Sequence, residues 1–305
     1  MVDTSKVVSL LDASRQRLQT LEGVAFLFLG LLWYQYFSSL IPFWMMETYY
    51  EYGWFVPLAA LFFLWRRWAD YPPKKNESLN PPTAPLFALI AVALLCLIPL
   101  RIIEVQDPYW RAPRYLHFIL VAGISHLFLA QMYSWQSSLK LLPLTIFCLS
   151  AAPLPYQLEL NWIQSATQIL MTISEPICHF QGFPVDQEGA ALTLGGEVLQ
   201  VNEECSGIRS FQSLLMTGLF FGELFLLPWV LRGLLVIVGV LLAFAFNVIR
   251  VVSLTAIYFD DGPEAFNKAH DTIGMLAFGA SALILLGVGR LMAGPATPPA
   301  RPKAS

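Results

Sequence analysis

Charge is scarce in this sequence of 305 residues. Asp, Glu, Lys and Arg supply only 13%, about half of what a soluble domain carries, while hydrophobic residues reach 56%. The mean hydropathy is +0.59. The net charge of -3 says little about nucleic acid, but no basic patch suggests such a partner, and none is expected. Histidine and cysteine are equally sparse, with four of each. Cys96, Cys148, Cys178 and Cys205 show no zinc-type spacing. Cys96 and Cys148 lie inside apolar runs, where a thiol packs as a small hydrophobe. There is no HExxH, no GxSxG and no P-loop. No metal and no organic cofactor is implied. No internal repeat stands out, which removes the solenoid classes.

Long apolar runs are what the chain does have. A spanning helix needs roughly 20 apolar residues, because each adds about 1.5 Å across a hydrocarbon core of about 30 Å. The runs predict spans at 23–44, 48–65, 84–100, 115–135, 139–155, 206–228, 233–258 and 272–293. The expected fold is therefore all-α, a polytopic bundle of about eight transmembrane helices in the lipid bilayer. The first run is too long for the apolar region of a cleaved signal peptide. Residues 1–156 read as amino-terminal membrane helices, 157–293 as the region that carries the chemistry, and 294–305 as a disordered Pro- and Ala-rich tail.

Threading eight spans from a cytoplasmic amino terminus puts Arg101, Arg111, Arg114, Arg209, Arg250 and Lys268 outside. The other twelve of the 18 basic residues fall inside. That bias favours both termini inside. The three arginines of 101–114 run against it.

Two outer features do not read as spans. Residues 158–178 place Leu158, Trp162, Ala166, Ile169, Leu170, Ile173 and Ile177 on one helical face, the pattern of a helix at the interface or against the bundle. Ala191–Leu194 and Glu197–Val201 flank Gly195-Gly196, which predicts a β-hairpin leading straight to Cys205.

Chemistry concentrates at the outer ends of three spans. Cys205 enters the sixth span in Glu204-Cys205-Ser206-Gly207-Ile208-Arg209-Ser210. A helix amino terminus and Arg209 at i+4 favour a thiolate, and Glu203 and Glu204 oppose it. Arg250 sits within an apolar stretch, with Asn247 and Ser253 three residues either side. An arginine there marks a functional interior by default and suits an oxyanion, with snorkelling to the interface as the alternative. His270 precedes Asp271-Thr272 at the start of the last span, where an imidazole tends to stay neutral and fit for a general base. His117, His126 and His179 remain alternatives, and a Cys178–Cys205 disulfide would make Cys205 structural. A transporter or a non-catalytic scaffold would also accommodate eight spans and a buried arginine.

Glu204 to Ser210, Asn247-Val248-Ile249-Arg250 and His270-Asp271 resemble, in order and spacing, the three signature blocks of the exosortase/archaeosortase family. Gly182-Phe183-Pro184-Val185 and the hairpin are similar to the segment that precedes them. The resemblance covers about residues 180–290. It implies some eight membrane helices and an extracytoplasmic Cys, Arg, His site, here Cys205, Arg250 and His270. Arg209, Asn247, Ser206 and Asp271 would support them. It further implies a cysteine peptidase or transpeptidase of the bacterial inner membrane. Its partners would be membrane-anchored substrate proteins with a carboxy-terminal sorting signal of the Pro-Glu-Pro type.

Overall fold

A computed structural model describes residues 21–46, 48–70, 84–189, 191–194, 197–199 and 208–294. Cys205, Ser206, the Gly195-Gly196 turn and the 295–305 tail lie outside these described residues. In chain order the helices are α1 (Leu21–Met46), a 3₁₀ helix (Thr48–Trp54), α2 (Phe55–Asp70), α3 (Ala84–Gln106), α4 (Ala112–Met132), α5 (Trp135–Leu139), α6 (Leu142–Leu149) and α7 (Tyr156–Phe180). Strands β1 (Val185–Glu188), β2 (Ala191–Leu194) and β3 (Glu197–Leu199) follow, then α8 (Ile208–Leu224) and α9 (Trp229–Met292). The chain divides into two compact units, one of 1–46 with 67–145, the other of 47–66 with 146–305.

Among the described residues, four helices are long and apolar enough to cross a membrane: Gly23–Met46, Ala88–Gln106, Ala112–Met132 and Trp229–Met292. The last contains two of the expected spans. Three other expected spans are shorter than the runs suggested. The stretch 48–65 opens as a 3₁₀ helix, and α2 proper has 16 residues. The stretch 139–155 breaks around Lys140, and Pro143 in the first turn of α6 cannot continue a helix from before it. Eight residues then span only about 12 Å. Helix α8 stops after 17 residues, ahead of Leu226 at φ 51° and Pro228.

In the first unit, α3 turns Leu89, Val92, Leu95, Ile98 and Ile102 outward, the arrangement lipid favours. Two of the three arginines that contradict the charge bias are held in the structure here. Arg114 is fully buried; it donates to the carbonyls of Ser39 (3.1 Å), Glu104 (3.2 Å) and Pro108 (2.9 Å) and pairs with the Glu104 carboxylate at 3.5 Å. Arg101 reaches the same carboxylate at 2.8 Å. Guanidinium groups held this way are not free loop charges of the kind that orient a chain.

In the second unit, α7 buries a face that mixes polar and apolar side chains. Glu159, Thr167, Ser174 and Cys178 are buried beside Leu170 and Met171, whereas Leu158, Trp162, Ile169 and Ile173 face out. Inside, Tyr50 donates to Glu159 and accepts from Gln212 of α8 (3.0 Å) and the Leu154 amide (2.8 Å). Helix α7 ends at Gly182, φ 90°, with Phe183 N donating to Cys178 O (2.9 Å) and Gly182 N to His179 O (3.0 Å). This glycine-terminated reversal sends the chain back along the last turns of α7. The expected hairpin forms as β2 and β3, with Leu194 opposite Glu197. The sheet has a third strand that short-range patterning missed, β1, antiparallel to β2. Val185 and Leu192 pack with Leu170, Met171 and Cys178 against Val251 and Val252 of α9.

Helix α9 is a hairpin of two limbs. A straight helix of 64 residues would run about 96 Å. The break is Gly262, at φ 83°, ψ -176°, a region open essentially to glycine alone, followed by Pro263. The limbs then pack antiparallel: Leu235 meets Gly289, Gly239 meets Leu285 and Arg250 meets Gly274. Glu223 and Arg232, both buried, pair across the turn from α8 into α9, so Arg232 is another arginine withdrawn from the loops. Gly262→Ala is expected to cost about 1–3 kcal/mol from backbone strain. A thermal melt of the purified variant checks this, and an unchanged melting temperature would contradict it.

Candidate active site

The reversal at Gly262 is what brings the second and third sequence blocks together. Arg250 lies twelve residues before the glycine and His270 eight after it. The Arg250 Nη2 to His270 Nε2 distance is 2.9 Å. Arg250 is buried, and its guanidinium turns inward between the limbs rather than snorkelling. A guanidinium has hydrogens and no acceptor, so His270 Nε2 accepts in this contact. The imidazole is then neutral, with its proton on Nδ1, which lies 3.2 Å from Asp271 Oδ1. Asp271 thus sets the tautomer.

Asn247 is buried on the same face of α9, one turn before Arg250. Both line a small pocket with Phe246, Phe278 and Ser281. Ser210 of α8 closes another wall, which places the beginning of α8 beside Arg250. Cys205 precedes Ser210 by five residues but lies, with Ser206, outside the described residues. Arg209 takes a different direction. It is exposed and pairs with Glu51 at 2.9 Å.

The remaining histidines are engaged elsewhere. His117 Nδ1 meets Glu104 at 2.9 Å, and His126 lies between the hydroxyls of Ser138 (2.8 Å) and Thr145 (2.9 Å). His179 Nε2 hydrogen-bonds the Val185 carbonyl. Cys178 is a free, buried thiol, not half of a disulfide. Burial pushes its pKa up despite a hydrogen bond from Thr255, the reverse of what a nucleophile needs.

Gly274 is a contributor that motif reading passed over. A Cβ there would stand 3.3 Å from the Arg250 Cζ and 3.4 Å from Nη2. Its signal in the sequence is only a glycine four residues after His270. Gly274→Val is expected to push the guanidinium aside and lower turnover about 10–100-fold, the scale of a misplacement near 1 Å. Gly279→Ala, whose added Cβ meets nothing within 4 Å, is the control. Equal activity of the two variants in a processing assay would show that Arg250 does not need its present position.

No curated protein and no solved structure matches the chain. The family model for transmembrane exosortases matches residues 44–287, which takes in α2 to α8, the hairpin and both limbs with Arg250 and His270. With that match over most of its length, and helices apolar enough to cross a bilayer, the chain is an integral membrane protein of the transmembrane exosortase family.

Proposed function

We propose that this protein is a membrane cysteine peptidase or transpeptidase that cleaves the carboxy-terminal sorting signals of exported proteins at the extracytoplasmic face of the inner membrane. The observation that supports this reading is the Arg250–His270 contact, with Arg250 also lining a pocket shared with Asn247 and Ser210. A cation and a neutral imidazole converge there, next to the helix that follows Cys205.

In the proposed cycle His270 takes the Cys205 thiol proton, and the thiolate attacks a peptide carbonyl carbon. Negative charge develops on the carbonyl oxygen, where Arg250 and Asn247 stabilise it. The C–N bond breaks as His270 passes its proton to the leaving amine, and a thioester remains on Cys205. Water or an acceptor amine then attacks the thioester and returns the thiol. One constraint follows from the geometry. Arg250 occupies the His270 Nε2 lone pair, the same pair that must receive the thiol proton. Arg250 therefore turns from His270 to the carbonyl oxygen as negative charge develops there, which frees the base in the same step.

The test is co-expression in membranes with a substrate bearing a carboxy-terminal sorting signal, comparing wild type with Cys205→Ala. A mobility shift in wild type alone supports thiol-dependent processing. Equal cleavage by both would remove Cys205 as nucleophile.

A further inference from the structure

A second constellation lies on α7 and the hairpin, apart from Arg250 and His270. Glu175 and His179 are four residues apart and so share one face of α7. The reversal at Gly182 lays β1 beside that face, and Asp186 comes with it. One ligand atom from each of the three lies within 4.8 Å of the other two. Bonds of about 2.0–2.2 Å to nitrogen and oxygen let small rotations of these side chains close around one ion.

Two further contacts prepare the donors. His179 Nε2 faces the Val185 carbonyl, an acceptor, so Nε2 carries the hydrogen and Nδ1 carries the lone pair in the neutral ring. A backbone carbonyl on the far nitrogen is the outer partner that metal-bound imidazoles commonly have. Glu175 Oε1 accepts from the Gln187 amide at 3.0 Å, which orients its carboxylate. Among the described residues, no lysine or arginine pairs with Glu175 or Asp186. Two carboxylates converge without a balancing cation, an arrangement that a divalent ion relieves.

We propose that Glu175, His179 and Asp186 form a binding site for a divalent transition metal, zinc by its donor set. An imidazole with two carboxylates suits zinc, whereas calcium takes oxygen donors alone. Bound there, the ion fastens β1 to the end of α7. Because β1 pairs with β2 and β2 with β3, it fixes the sheet that precedes the Cys205 segment. The site is a staple and takes no part in the acyl-transfer steps.

The experiment uses the full chain in detergent, stripped with a chelator, in a Cys205→Ala background so that this thiol cannot bind zinc. Zinc is titrated in competition with a chromophoric chelator, and melting temperature is followed with zinc and with calcium. One equivalent of zinc, a melting temperature raised by zinc and not by calcium, and loss of both effects in His179→Ala and Asp186→Asn support the site. The affinity loss should exceed the roughly 10–100-fold that removing an outer partner costs. Asp186→Asn is a conservative change at an exposed position and keeps the test decisive if His179→Ala does not fold. Equal zinc binding by Asp186→Asn and its parent, no uptake by the parent, or a preference for calcium would overturn the proposal.

Discussion

Cys205→Ala should reduce processing about 10⁴–10⁶-fold, the scale on which enzymes lose turnover when a covalent nucleophile is removed. The size of the loss follows from the reaction. Without the thiol no thioester forms, and water alone must attack an unactivated amide in a pocket whose other groups remain. Arg250 and Asn247 would still polarise a carbonyl, so a trace of hydrolysis above background is expected rather than none. Cys205→Ser is expected to stay close to the alanine variant. An alcohol is far less acidic than a thiol, and a neutral imidazole like His270 must then remove a much less available proton. The measurement is the initial rate of substrate cleavage in membranes, normalised to enzyme amount. A melting curve on the purified variants shows whether the fold is intact. A loss below about tenfold in a folded Cys205→Ala protein would mean that the chemistry runs through another group. Cys178 is a poor substitute, being buried with a raised pKa.

What could be read in advance depended on how local the determining signal was. The β2–β3 hairpin and helix α7 rest on patterns within a few residues, and both appear where the sequence places them. Which way α7 would face was not local. The apolar stripe of Leu158, Trp162, Ile169 and Ile173 suggests burial in any soluble protein, yet here it faces out, and the buried face mixes Glu159, Thr167 and Ser174 with Leu170 and Met171. The partner of its Glu159, Tyr50, is 109 residues away on the 3₁₀ helix and in turn accepts from Gln212. Span lengths were misjudged for a related reason. Apolar composition runs straight through Pro143 and the 225–228 turn, so hydropathy joins what backbone chemistry separates. The turn at Gly262 is compressed in the opposite sense, from the 259–271 stretch left between two expected spans to a single glycine. Arg250 and His270 were legible as motif residues, but their contact was not, because it depends on that glycine and on the space left by Gly274. Glu175 and His179 carried an i, i+4 signal on their own helix. Only the reversal at Gly182 supplies Asp186.

Arg250→Ala should lower turnover about 10²–10³-fold, the usual cost of one lost oxyanion donor, with KM little changed. The split between the two constants is the informative part. A group that acts only as charge develops on the carbonyl oxygen contributes to the transition state and not to ground-state binding. If Arg250 instead recognised the sorting signal, KM would rise and turnover would hold. Arg250→Lys keeps the charge but replaces a planar fork with a point donor, so it should recover only part of the loss. His270→Ala on its own should be severe, since the thiol loses its base. The double variant, Arg250→Ala with His270→Ala, should be much less active than wild type but not by the product of the two single losses. The side chains touch at 2.9 Å, and contacting groups that act in one step do not add. Fully multiplicative losses would mean that the contact has no part in the reaction and that the two groups act independently. Sub-multiplicative losses, with KM held, would tie the turn of Arg250 away from His270 to the chemical step itself.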